Sequence, residues 1–78
     1  MKKNRRRVVD IQSVLFKLPY SVSKAKAWLE DNNFTVGKVD KTMNYLRFRQ
    51  LPPEWFVRFE TVRIPGYKNK KAIVGYYK

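Results

Sequence analysis

The segment Asn44–Gln50 constrains the fold of this 78-residue chain more than any other part of its sequence. Apolar side chains alternate there with aromatic and basic ones, in the order Tyr45, Leu46, Arg47, Phe48 and Arg49. Successive side chains of a β-strand point to opposite faces of the sheet. The alternation therefore predicts a strand that buries Leu46 and Phe48 against a core and turns its basic residues to the other face.

A single helix is predicted before this strand. Apolar residues recur there at spacings of three and four, which gives one stripe of Val22, Ala25, Trp28 and Leu29. Ser21 or Ser23 can cap its start, because a short hydroxyl accepts from free N–H groups of the first turn. Asn32 and Asn33 predict its end, because Asn tolerates a left-handed backbone. We expect this helix to bury Trp28 against a sheet and Phe34 to fold back on it.

The remaining segments favour strands. They are Val8–Leu18, a strand end and turn at 37–42, 57–64 and 72–77. The predicted fold class is α+β, with one helix packed on a small antiparallel sheet in the order strand, helix, strand, strand, strand. Connections between the strands at 44–50, 57–64 and 72–77 are short enough for an antiparallel meander. We expect a disordered arm at 1–7 and one domain at 8–78.

The charge of the chain favours a polyanionic partner. The formal net charge is +12, and five of the 18 Lys and Arg residues lie in the arm. These five are Lys2, Lys3, Arg5, Arg6 and Arg7. Such an excess of positive charge favours nucleic acid, with anionic headgroups or an acidic protein as alternatives. We expect the arm to become ordered on such a partner; the alternative is a passive solubilising tail or an expression tag.

The outward face of the strand at 44–50 is the strongest predicted binding site. Arg47 and Arg49 supply planar donors for phosphate, and Tyr45 supplies a ring that can stack on a base or sugar. Arg58 and Arg63 on a later strand can extend this patch. The alternative is a solvated face whose charges pair across strands with Asp40 or Glu60.

Two further groups of cations complete the predicted nucleic-acid-binding set. Lys68, Lys70 and Lys71 form a positive loop that can hold a phosphate backbone or can simply be a solvated turn. Lys24 and Lys26 lie near the start of the helix, where cations oppose the helix dipole. This mild electrostatic misfit favours a binding role for them.

The composition argues against several classes of function. The chain has no His and no Cys, so it lacks the usual general base, the commonest metal ligand and any disulfide. No apolar run approaches the length of a membrane-spanning helix, and Asp10 interrupts any secretory signal. We therefore expect no enzyme, no cofactor, no metal and no membrane partner. The expected location is inside a host cell or packaged in a virion.

Several strings in the body resemble a known family. They are Ile11–Phe16, Lys24–Leu29, Lys38–Gln50 with its Val-Asp-x-Thr-x-Asn-Tyr-Leu-Arg-Phe-Arg-Gln pattern, Phe59, and Ile73–Tyr76. Together they resemble a small basic domain found in proteins of large DNA viruses of algae and amoebae and of some tailed bacteriophages. The resemblance spans roughly residues 10–77 and implies a viral context without a particular activity. The basic arm is not part of that pattern.

Three hypotheses follow from these observations. The first is a small viral protein that binds DNA without sequence preference, or packages a genome, through phosphate contacts. The second is a virion structural or interaction module that docks an acidic or capsid protein, for instance along a strand edge. The third is single-stranded RNA binding through Tyr45 and neighbouring aromatic side chains. The sequence favours DNA over RNA and leaves the oligomeric state open.

Overall fold

The computed structural model describes residues 8–78, and these form one helix against a five-stranded sheet. The elements are β1 Val9–Lys17, α1 Val22–Asp31, β2 Val39–Lys41, β3 Tyr45–Arg49, β4 Phe56–Arg63 and β5 Lys70–Tyr77. One turn of 3₁₀ helix, Pro53–Trp55, precedes β4. The predicted α+β class is confirmed. The predicted arm lies outside the described residues.

The sheet has the strand order β2-β3-β1-β5-β4, and every neighbouring pair is antiparallel. The predicted meander is correct for β4 and β5 but wrong for β3 and β4, because β1 and β5 lie between them. The double proline at Pro52 and Pro53 explains the difference. Proline cannot donate to a strand ladder, so β3 ends in an extended connection. The first residue of this connection, Gln50, donates its N–H to Gln12 O of β1 at 2.7 Å. The chain then continues to β4 at the far edge of the sheet.

The helix begins and ends where the sequence predicts. The hydroxyl of Ser21 accepts a hydrogen bond from the Lys24 N–H at 3.3 Å, which satisfies one free donor of the first turn. Asn33 has a φ of 64°, the left-handed backbone that stops a helix. Phe34 then donates its N–H to Leu29 O at 2.8 Å. Its ring stacks on Trp28 with centroids 5.8 Å apart, so Phe34 does fold back on the helix.

The core lies between α1 and one face of β3 and β1. Its fully or almost fully buried members are Val14, Phe16, Ala25, Leu29, Leu46 and Phe48. Phe16 and Phe48 meet edge to face with centroids 5.6 Å apart, a favoured arrangement of aromatic rings. The prediction that Trp28 is buried is wrong in degree: it is half-buried at the rim of the core. Its ring also contacts the ring of Tyr67 edge to face, at a centroid distance of 5.5 Å.

A smaller group of contacts, separate from the main core, holds the start of β4 against β5. The ring of Phe56 lies directly over Gly75 of β5, and a Cβ added to Gly75 would lie 2.6 and 2.8 Å from its two Cδ atoms. Only glycine lets the Phe56 ring lie this close to the β5 backbone. Phe56 also contacts Tyr77 with ring centroids 4.6 Å apart. The aromatic cluster therefore holds the start of β4 against the end of β5.

Candidate nucleic-acid interface

The sheet face opposite the helix carries a group of cations, which we call the basic face. Residues directly opposite in an antiparallel sheet point to the same side, so the strand register identifies its members. They are Lys17, Tyr45, Arg47, Arg49, Arg63 and Lys71. The prediction that β3 turns Tyr45 and its two arginines away from the core is confirmed, because Leu46 and Phe48 between them are buried. These six residues combine five cations with the ring of Tyr45, and the same register places Phe59 on this side of the sheet as well.

One row of the basic face crosses β3, β1, β5 and β4. Arg47 lies opposite Leu15, Leu15 opposite Lys71, and Lys71 opposite Arg63. Like charges directly opposite each other destabilise a sheet, so the Lys71–Arg63 pair is unfavourable without a counter-ion. Asp40 of β2 lies opposite Arg47 and is the carboxylate at the end of this row. With three cations and one carboxylate, the row keeps an excess of positive charge, which favours an anionic partner.

Arg47 has a hydrogen-bonding group left unused by the described residues. Its Nε is buried but has no hydrogen-bond partner among them. A buried donor without an acceptor is unusual and costs free energy. Arg47 also lines a shallow cavity of about 300 Å³, whose other lining residues are Gln12, Pro53, Phe59, Glu60, Thr61 and Ile73. The Arg47 side chain therefore borders the cavity with one hydrogen-bond donor that the described residues leave unsatisfied.

Tyr45 is held at the start of β3 by a tight turn. Its N–H donates to Thr42 Oγ1 (3.1 Å), and its carbonyl accepts from the Thr42 N–H at 2.8 Å. The ammonium of Lys71 lies 5.6 Å from the ring centroid, within the range of a cation–π contact. The ring therefore sits beside a cation at the border of the basic face, where a base and its phosphate can be contacted together.

Arg58 does not extend the basic face, which corrects the prediction made for it. It lies opposite Tyr76 on the helix side of the sheet, with its guanidinium carbon 3.8 Å from the centre of the Tyr76 ring. Arg63 points to the other side of β4, opposite Lys71, and therefore does belong to the basic face. The hydroxyl of Tyr76 donates to Glu60 at 2.7 Å, and this hydrogen bond raises the pKa of Tyr76.

The predicted position of Lys70 in an exposed loop is also wrong. Lys70 and Lys71 belong to β5 rather than to a loop, and Lys70 is 6 % exposed. Its ammonium lies 4.4 to 5.9 Å from four ring centroids, those of Tyr67, Tyr20, Trp28 and Phe16. It also donates to Asn69 Oδ1 at 3.3 Å. Cation–π attraction compensates part of the cost of burying the charge, and this burial favours a structural role for Lys70 over a phosphate contact.

The other predicted lysines are exposed but are not brought together with the basic face. Lys24 and Lys26 lie on α1, which covers the opposite side of the sheet. Lys68 lies in the connection before β5, and Lys71 is the member of its group that joins the basic face. Sequence reasoning missed Lys17, which pairs with Tyr45. Lys17 can be found from the alternation of side chains along a strand, which places Ser13, Leu15 and Lys17 on one face of β1.

Other kinds of site are not found in residues 8–78. No cluster of three or more acidic, His or Cys side chains there could hold a metal ion. None of the helices in this part of the chain is both long and apolar enough to cross a membrane. No family model, no curated protein and no solved structure matches the chain.

Proposed function

We propose that the protein binds nucleic acid through the basic face, by contacts to phosphates that do not depend on base sequence. The row Arg47–Leu15–Lys71–Arg63 carries the proposal, because it sets two like charges directly opposite each other on an exposed face. A polyanion laid across the row neutralises them and releases its own counter-ions. Arg47 also carries a buried Nε–H that has no acceptor among the described residues.

DNA is the proposed ligand, and a viral protein that binds or packages its genome is the proposed setting. The viral setting rests on the sequence resemblance across residues 10–77. The net charge of the described body supports a polyanionic ligand in general: residues 8–78 hold 13 Lys and Arg against six Asp and Glu. The five further cations of the arm would extend the contact along the same polyanion.

The test compares two triple variants that remove the same charge from opposite sides of the sheet. The first is Arg47→Gln/Arg49→Gln/Lys71→Gln on the basic face. The second removes exposed lysines of the helix side, as Lys24→Gln/Lys26→Gln/Lys41→Gln. Binding of duplex DNA, single-stranded DNA and RNA is titrated at several salt concentrations.

The basic-face variant should weaken binding to every DNA sequence alike, since phosphate contacts carry no base information. If all three cations contact phosphate, the slope of log K against log salt should become shallower by about 2.7 on duplex DNA. The helix-side control should change this slope much less. Equal losses in both variants would show that net charge alone drives binding and that the basic face is not the site. Absence of binding to all three nucleic acids at low salt would refute the function itself.

A further inference from the structure

We infer that two copies of this chain pair along the free edge of β4, in antiparallel register centred on Phe59. β4 is eight residues long and forms one border of the sheet. A long edge strand presents unpaired N–H and C=O groups that invite pairing with another strand. The opposite border, β2, has only three residues. Within the described part of the chain, β4 is therefore the extended edge that another strand can join.

The hydrogen bonds of β4 show which of its groups are free. Ile64 donates its N–H to Lys70 O across the β4–β5 ladder. In an antiparallel pair, such hydrogen-bonded residues alternate with residues whose backbone groups point the other way. Even-numbered residues of β4 therefore face β5, whereas Phe59, Thr61 and Arg63 direct their N–H and C=O groups to the free edge. Phe59 can exchange two hydrogen bonds with Phe59 of the partner subunit.

The Phe59 register is the one that matches charges. It places Arg58 opposite Glu60 of the partner subunit, and by symmetry Glu60 opposite the partner's Arg58. This is a pair that is not hydrogen-bonded, the kind in which side chains approach most closely. Registers centred on Arg58 or Glu60 place like charges opposite each other. A register centred on Thr61 places Glu60 opposite an apolar Val62 of the partner subunit.

The side chains of β4 are already arranged for this pairing. Tyr76 holds Arg58 over its ring and donates to Glu60, so the two opposite charges lie side by side on one face. Val57 is 62 % exposed and Phe59 is 45 % exposed on the monomer. Pairing would cover both, because Phe59 meets its own copy and Val57 lies near Thr61 of the partner subunit. A second copy of the chain thus matches the edge in hydrogen bonding, charge and apolar surface.

The large net charge sets the conditions for dimer formation. Two chains of +12 repel each other at long range, and roughly 0.3 M salt screens that repulsion while affecting contact pairs less. The mass of the wild-type protein should therefore approach twice 9.4 kDa as concentration rises in sedimentation equilibrium at that salt. A monomer at every concentration would overturn the proposal and leave the edge to a partner of different sequence.

Charge exchange tests the register. Glu60→Arg places Arg opposite Arg, and Arg58→Glu places Glu opposite Glu, so each single variant should be monomeric. An equimolar mixture of the two should form a heterodimer, because every facing pair is then opposite in sign. The double variant Arg58→Glu/Glu60→Arg keeps the net charge and should dimerise alone. Single variants that remain dimeric, or a mixture that stays monomeric, would refute the register.

Backbone pairing has its own test in Thr61→Pro. The N–H removed by this change points to the free edge, and proline is tolerated at such edge positions. The variant should keep the wild-type circular-dichroism spectrum and lose the dimer. A dimer unchanged by Thr61→Pro would place the contact elsewhere. A wild-type monomer that still binds DNA through the basic face would refute the dimer and leave the proposed function intact.

Discussion

Replacing Gly75 by Ala should destabilise the protein sharply, although it adds a single methyl group. The new Cβ would lie 2.6 and 2.8 Å from ring carbons of Phe56, closer than carbon atoms approach without displacement. Phe56 cannot easily move, because its ring also packs on Phe59 and Tyr77. Overpacking of this kind costs about 1–3 kcal/mol in free energy of unfolding. For a domain of this size the loss lowers Tm by roughly 4–24 °C.

Thermal and urea unfolding followed by circular dichroism measure this loss. The chain supplies a matched control in Gly37→Ala, since nothing lies within 4 Å of a Cβ at Gly37 and its φ is not positive. That variant should be neutral, or more stable by about 0.4–1 kcal/mol through its less flexible unfolded state.

A double-mutant cycle identifies the cause. In a Phe56→Ala background the ring is gone, so Gly75→Ala should cost almost nothing further. A Gly75→Ala protein within about 0.5 kcal/mol of the wild type, the range of a neutral surface change, would refute the reasoning. An equal cost with and without the Phe56 ring would do the same.

Three further predictions concern binding and titration. Tyr45→Ala should weaken binding to single-stranded DNA by about 1–3 kcal/mol per stacked base and weaken duplex binding less; equal small losses on both would favour backbone contacts alone. Deleting residues 2–7 should make the salt slope on duplex DNA shallower by roughly 4–5, and an unchanged slope would mark the arm as a passive tail. In an absorbance titration at high pH, Tyr76 should ionise above the usual pKa range of tyrosine, because its hydroxyl donates a hydrogen bond to the Glu60 carboxylate. The stability that this hydrogen bond contributes should be present below the pKa of Tyr76 in the unfolded chain and lost as pH rises through its raised pKa in the folded protein. Glu60→Ala should return the ionisation of Tyr76 to the usual pKa range. A raised pKa that persists in this variant would contradict the role given to Glu60.

Local patterns in the sequence predict the elements of this fold well. The alternation of β3 is a property of five consecutive residues, and Leu46 and Phe48 are buried as it requires. The Ser21 cap and the Asn33 backbone are equally local, because each depends on groups within a few residues. The strands β4 and β5 are predicted with bounds shifted by one or two residues, whereas β2 is predicted only as a strand end and turn, so the sheet has one strand more than the predicted order.

The order of the strands and the environment of individual cations depend on distant residues, and there the sequence misleads. Lys70 looks like a loop cation, but its cage brings together rings from three separate segments, Phe16, Tyr20–Trp28 and Tyr67. Arg58 was expected beside Arg47, yet the two lie on opposite faces. A strand pattern fixes which residues share a face within one strand, whereas neighbouring strands and their relative faces follow from pairing across the whole chain.

The central place of β1 has a consequence for how the chain folds. β1 precedes its two neighbours, β3 and β5, in the sequence, so Ser13 pairs with the later residue Arg49 and Val9 pairs with the still later Tyr76. Contacts between such distant residues require large loops to close, and proteins rich in them fold in milliseconds to seconds rather than microseconds. A nascent chain that lacks β5 has a middle strand with one bare edge. β5 must therefore be synthesised before the sheet can close, and removal of residues 70–77 would expose the central strand of the sheet rather than shorten its border.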